Sequence, residues 1–332
     1  LTPRSPPDYE SAIEQERSFW DHFHSDALRY GIPHWLDLRK ATRLRRPVHN
    51  PFDDPRVEGI LRGTEKKEFL RMATQAGPGI KALDFGCGMG WLSLELARAG
   101  LETDGLDLSP RSVDIARDYA TTQNPAGRLR FRAADLNQED LGQEIYDVIA
   151  VWDVLHHLAQ VDVVAQRFAR ALKPGGVLVV WDHIGMQQKN LRFYRWFHYL
   201  VPAHPRMYAN KVRRWLRMPG LDVFRGETPA ESPASEAGGL PVPDAPFEHH
   251  SEDAILPALR KWMPGITIRT HLCFAMHLAH YHRLPVFGQY CILRILKRLD
   301  EWMIQTGILR GEYFIGFYRK PASEVSVSGG GP

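Results

Sequence analysis

Apolar residues follow two spacings along the middle of the chain. Short runs such as Ile80–Phe85 and Val177–Trp181 have the length of buried strands. Between them lie segments whose apolar positions recur three and four residues apart, as in helices packed on a sheet. The pattern predicts strands over 80–85, 102–108, 129–133, 177–183, 266–271 and 313–318. Another starts at Tyr146 and ends in polar residues before Leu158. Helices are expected over 8–28, 56–76, 161–172 and 290–306, and after Gly90 and Ser109-Pro110. The first has Ser11 and Glu14 at capping-box spacing, and its Ile13, Phe19, Trp20, Phe23 and Leu28 can pack on the main domain or close over a site. Strand and helix in alternation predict an α/β fold, a mostly parallel sheet with helices on both faces.

Composition adds limits. The 332 residues, 44% apolar and 24% charged, suffice for one large α/β domain with insertions. A net charge of +3 argues neither for nor against an anionic partner. Cys87, Cys273 and Cys291 are too few and scattered for a disulfide framework or a zinc site. No apolar run approaches a bilayer-spanning length and no signal-peptide pattern opens the chain, so the expected location is cytoplasmic. The first residue is Leu, so the natural start is expected to lie upstream.

The chemistry centres on Asp84-Phe85-Gly86-Cys87-Gly88-Met89-Gly90. Glycines where a strand breaks into a helix let a ligand approach bare backbone. A dinucleotide loop would read G-x-G-x-x-G, but here the third glycine comes one residue early and Trp91 stands in its place. Asp84 would repel a pyrophosphate and attract a sulfonium. Asp107, at the end of the second strand, has the spacing from the loop that suits an acid on ribose hydroxyls.

This loop resembles the first motif of the class I S-adenosylmethionine-dependent methyltransferases. Asp107, Asp135, the His156-His157-Leu158 segment and the Leu172-Lys173-Pro174-Gly175-Gly176 turn follow in that family's order, so residues 75–185 resemble its small-molecule branch, the quinone-biosynthesis type included. The resemblance implies a Rossmann-like seven-stranded sheet and S-adenosyl-L-methionine as methyl donor, leaving as S-adenosyl-L-homocysteine. It places the donor against Asp84, Gly86, Cys87, Gly88 and Gly90, against Asp107 and Leu108, against Asp135 and Leu136 at the adenine, and against Trp152. The expected organisation is an N-terminal helical extension (1–76), the donor-binding core (77–186), a cap after the fifth strand (187–265), the last core elements (266–320) and a disordered tail (321–332).

Methyl transfer from a sulfonium needs alignment above all, and a hydroxyl acceptor gains from a base. His157 and His183 are the candidates. Asp153 and Asp182-His183 resemble the strand-end acids that hold magnesium in catechol-type enzymes, but histidine is a poor magnesium ligand and no metal is expected. The cap begins with a basic, aromatic stretch free of Asp and Glu, Lys189 to Arg217, followed by a Pro-, Gly- and Ser-rich loop. With Arg39–Arg46 it is a candidate anionic or membrane-surface contact, which would put the protein peripherally at the inner membrane surface. Nucleic acid is disfavoured, because no binding module accompanies the patch. The acceptor expected is a small molecule, a hydroxyl of a glycan, lipid-linked compound or secondary metabolite. The rivals are a donor-binding protein without turnover and a nicotinamide oxidoreductase.

Overall fold

The computed structural model describes residues 9–47, 50–123, 125, 128–185, 190, 193, 246–247, 252–279 and 286–322. Seven strands form one sheet in the order β3-β2-β1-β4-β5-β7-β6. They are β1 (Lys81–Phe85), β2 (Glu102–Asp107), β3 (Leu129–Ala133), β4 (Tyr146–Trp152), β5 (Leu172–His183), β6 (Thr267–His271) and β7 (Tyr313–Arg319). β1 to β5 run parallel, and β7 is antiparallel to both β5 and β6. The carboxyl ends of β1 to β4 therefore share one edge, the expected ligand edge of an open α/β sheet.

Strand alternation builds a core on each face. Val148, Ala150 and Trp152 of β4 join Phe69, Leu92 and Leu96 in one cluster. Ile149 and Val151 join Val164, Phe168, Ile255 and Leu259 in the other. The helices supplying these residues are α3 (Gly63–Thr74), α4 (Trp91–Arg98), α6 (Val161–Ala171) and α7 (Glu252–Trp262). The remaining helices are α1 (Tyr9–Ala27), α2 (Pro55–Leu61), α5 (Pro110–Thr122), α8 (Phe274–Ala279) and α9 (Val286–Gln305).

Four local expectations are corrected. Ser11 and Glu14 lie inside α1 and form no capping box; Glu14 pairs with Arg17 instead. The helix expected over 56–76 breaks at Arg62 (φ −118°, ψ −1°) into α2 and α3. The Lys173–Gly176 turn is absorbed into β5. Gly175 takes φ +78°, and Lys173–Gly176 stand opposite the single Asp147 between the pairs Tyr146–Leu172 and Val148–Val177, so the expected turn is a wide bulge within the strand. α7 falls within the stretch assigned to the cap and loop, yet it packs on α6 as part of the core; Pro257 within it reads in sequence as a breaker.

The basic run turns three guanidinium groups on the protein's own acids. Arg39 lies 2.9 Å from Glu95, Arg46 3.3 Å from Asp53 and Arg43 3.8 Å from Asp54. Apart from Asn190, Phe193, Pro246 and Phe247, the expected cap over 187–250 lies outside the described residues, as do 323–332 of the tail. No helix among the described residues is long and apolar enough to cross a membrane.

Candidate functional site

The glycine loop is built by backbone constraints. Gly86 sits at φ +78°, and a Cβ there would stand 2.3 Å from Val154 Cγ2, so only glycine lets β1 turn against the segment after β4. Gly86 N and Cys87 N both donate to Leu106 O at 2.8 Å, tying the loop to β2. Gly88 N donates to Asp107 Oδ2 at 2.7 Å, and Ser109 N to Asp107 Oδ1 at 2.9 Å. Burial nevertheless pushes the Asp107 carboxyl up to about 6, against these two amides. Each carboxylate oxygen keeps a lone pair for a ligand hydroxyl.

A cavity of about 300 Å³ opens at this edge. Of the expected donor contacts, Gly86, Cys87, Gly88, Asp107, Leu108, Asp135, Leu136 and Trp152 line it. Asp84 and Gly90 do not. Alternation along β1 turns Asp84 to the same face as Ala82, beneath α4, where its Oδ2 accepts from Ser93 Oγ at 2.6 Å. Burial lifts its carboxyl to about 7. The picture of Asp84 as a bare charge facing a sulfonium is therefore corrected: it supports the loop from below. Gly90, at φ +92°, precedes the first residue of α4. Asp135 faces the cavity and accepts a hydrogen bond from Tyr9 Oη at 2.8 Å.

α1 closes over the opening, as its aromatic face suggested: Ile13, Glu16, Trp20, Phe23 and His24 contribute to the wall. His157 lines the cavity too, with Nδ1 3.2 Å from Glu16 Oε1. Glu16 also accepts from Trp20 Nε1 at 2.9 Å and Phe247 N at 3.2 Å. Burial raises the Glu16 carboxyl, but His157 and these donors outweigh it and leave it below its ordinary value. His24, donor or acceptor to Ser112 Oγ at 2.6 Å, is depressed by burial to about 3 and stays neutral.

His183 is not among the lining residues. As the last residue of β5 it packs against His156, with ring centroids 3.9 Å apart, and against Tyr313 at 5.7 Å. Its candidacy as the base is corrected on that ground. Asp153, His156 and Asp182 bring one potential ligand atom each within 4.8 Å of one another. Yet Asp182 is fully buried and committed: its oxygens accept from Val154 N (3.0 Å), Leu155 N (2.6 Å) and His183 N (2.8 Å) and pair with His156 Nδ1 (2.6 Å). It braces the turn after β4, where Asp153 adopts φ +62°. For a non-glycine residue that conformation is uncommon, and such residues cluster at functional sites.

The far wall escaped sequence reasoning. It comprises Glu58, Arg62 and Lys66, with His34 and Trp35, facing Trp91 and Trp152. Trp152 stacks on Trp181 at 4.3 Å and meets Trp91 edge-on at 5.4 Å. The available signal was the spacing Glu58-x3-Arg62-x3-Lys66, which reads equally as a solvated helix face.

The loop and the acids after β2 and β3 come together in one candidate ligand site at the carboxyl edge of the sheet. A sequence model described as "Methyltransferase domain" matches residues 60–224. The ubiquinone biosynthesis O-methyltransferase of Leptothrix cholodnii is 29% identical over 160 residues, 44% of this chain and 65% of that protein. The protein of that name from Mesorhizobium japonicum is 33% identical over 137 residues, 41% of this chain and 53% of its own. Geranyl diphosphate C-methyltransferase from Streptomyces coelicolor A3(2) superposes with a TM-score of 0.49 at 14% identity, over 96% of this chain and 100% of that one. The chain spans roughly half to two thirds of the length of the curated O-methyltransferases it matches. Residues 60–224 thus carry a methyltransferase domain, and the chain resembles the class I S-adenosylmethionine-dependent methyltransferases of small molecules.

Proposed function

We propose that the chain transfers a methyl group from S-adenosyl-L-methionine to an oxygen of a small-molecule acceptor, a hydroxyl of a glycan, lipid-linked compound or secondary metabolite. The observation that carries this reading is the continuity of the cavity. One wall is the glycine loop with Asp107 and Asp135; the opposite wall is aromatic and charged, and α1 covers both. The residues suit the donor. Asp107 lies where ribose hydroxyls can donate to it, Asp135 offers an acceptor to an exocyclic amine, and Gly88 at φ +50° leaves bare backbone in the wall. When bound, the donor supplies an electrophilic methyl on a sulfonium and leaves as the thioether.

The chain's own part is alignment, the larger share of the barrier reduction, and removal of the acceptor's hydroxyl proton. His157, whose Nδ1 lies 3.2 Å from Glu16 Oε1, is the residue we assign to that proton. The bound donor would supply the methyl and keep the electron pair on its sulfur, and His157 would take the proton released from the acceptor hydroxyl. Relatives named O-methyltransferases support oxygen as the accepting atom. Incubation with methyl-labelled donor and an acceptor panel spanning phenols, sugars, prenylated phenols and amines tests the reading. Label in hydroxylated acceptors is expected. Donor binding without transfer to any of them would instead mark a binding protein.

A further inference from the structure

Glu58, Arg62 and Lys66 form a row with a spacing of four across the α2–α3 break. Arg62 N donates to Glu58 O and Lys66 N to Arg62 O, both at 2.8 Å, so the break leaves the row on one face. On a surface helix such a row is water-facing. Here Glu58 is 3% exposed and Lys66 6%, and all three line the cavity. Placing charges there is costly, and apolar residues of similar volume would often hold the fold equally well. Lys66 Nζ lies 2.8 Å from Glu58 Oε1, and Arg62 Nη1 lies 3.3 Å from Asp153 Oδ2. Glu58 Oε2, buried in the wall, has no hydrogen-bond partner among the described residues, and neither has Trp35 Nε1. A buried oxygen and a buried N–H left open in one wall favour a ligand group that both donates and accepts.

Both cations already sit over the rings that an ammonium would seek. Lys66 Nζ lies 4.7 Å from the Trp91 centroid and 5.5 Å from that of Trp152, and the Arg62 guanidinium 4.8 Å from that of Trp181. Glu58 and Asp153 are matched one to one by these cations, so a charged amine would find no unpaired counter-ion in this wall.

We propose that the Glu58–Arg62–Lys66 row is the acceptor-selecting subsite: Glu58 accepts a hydrogen bond from a neutral hydroxyl of the acceptor, and the Lys66 and Arg62 cations exclude ammonium-bearing acceptors. This rests on the methyl-transfer reading and adds the selection of neutral alcohols and phenols over amines. Burial raises the Glu58 carboxyl, but Lys66, His34 and Arg62 outweigh it and hold it well below the usual range. Glu58 thus binds as an ionised acceptor of hydrogen bonds, which leaves proton removal to His157.

The test uses three ring probes of one shape, benzyl alcohol, toluene and benzylammonium, titrated near neutral pH with and without saturating S-adenosyl-L-homocysteine and read by quenching of the wall tryptophans. Wild type is expected to bind benzyl alcohol at least about tenfold tighter than either other probe. In Glu58→Leu/Lys66→Met, which removes both charges together and avoids an orphaned ion, the preference for the alcohol over toluene should collapse to about twofold or less. In Lys66→Met alone, the unpaired Glu58 should admit benzylammonium about tenfold more tightly. Melting curves confirm that each variant is folded. Equal affinity of wild type for the three probes, no binding of any, or an alcohol preference intact in the double variant overturns the assignment. Failure of S-adenosyl-L-homocysteine itself to bind would overturn the donor reading and leaves the probe comparison to decide the row separately.

Discussion

The two walls of the cavity are made in different ways. The donor wall comes from consecutive strand-to-helix connections: the loop after β1, Asp107 after β2 and Asp135 after β3, with amides from Gly88 and Ser109 fixing the Asp107 carboxylate. The opposite wall, which we assign to the acceptor, comes from α2, α3 and Arg62 between them, with His34 and Trp35, and α1 covers both walls. The donor wall uses backbone and short acids, and tolerates little change. The acceptor wall uses long side chains on helices, where substitution alters what is bound before it alters whether the sheet forms. On the proposed reading, such an arrangement keeps the donor fixed while acceptor choice is set elsewhere.

The largest effect that would sharpen this contrast is at His157, on the boundary between the walls. His157→Ala should lower kcat by about 10²–10⁴-fold with little change in donor affinity, measured with labelled donor and the best acceptor found. A fall in donor affinity of the same size would assign His157 to the donor wall instead. Protonation gives the next effect. Ionised Asp107 is the better acceptor for ribose hydroxyls, and its carboxyl is raised to about 6 in the free protein. Binding of S-adenosyl-L-homocysteine should therefore be full above that pH and weaken as pH falls through it, approaching about tenfold per unit at most. Calorimetric titrations from neutral to mildly acidic pH give the slope, and a flat profile would break the link to Asp107. The smallest effect is at His183. Packed between His156 and Tyr313 and outside the cavity wall, its substitution by Ala should lower kcat less than about tenfold, with a modest loss of thermal stability.

The donor wall was legible because its signals are local. Glycines, the acid after each strand and the apolar runs lie a few residues apart, and strand period fixes which way each points. That same period explains the misreading of Asp84: it has the face of Ala82 and so points at Ser93 under α4, which composition alone does not reveal. The acceptor wall was illegible for the opposite reason. Glu58, Arg62 and Lys66 carry the pattern of a solvated helix, and only the packing of α3 on β4 and β5, with α2 held against α9, turns it inward. α7 was lost to Pro257 and to its place beside a loop-like composition. His157 and His183 were both candidate bases by sequence; both rings pack on His156, and only His157 lines the cavity.

Affinity of the Asp107→Ala protein for S-adenosyl-L-homocysteine, measured by calorimetry beside wild type, bears most directly on the account. Removing two charge-assisted hydrogen bonds, each worth about 1.5–3 kcal/mol, should weaken binding by about a hundredfold or more while the protein still melts cooperatively. Unchanged affinity in a folded variant would contradict the placement of the donor between the glycine loop and β2.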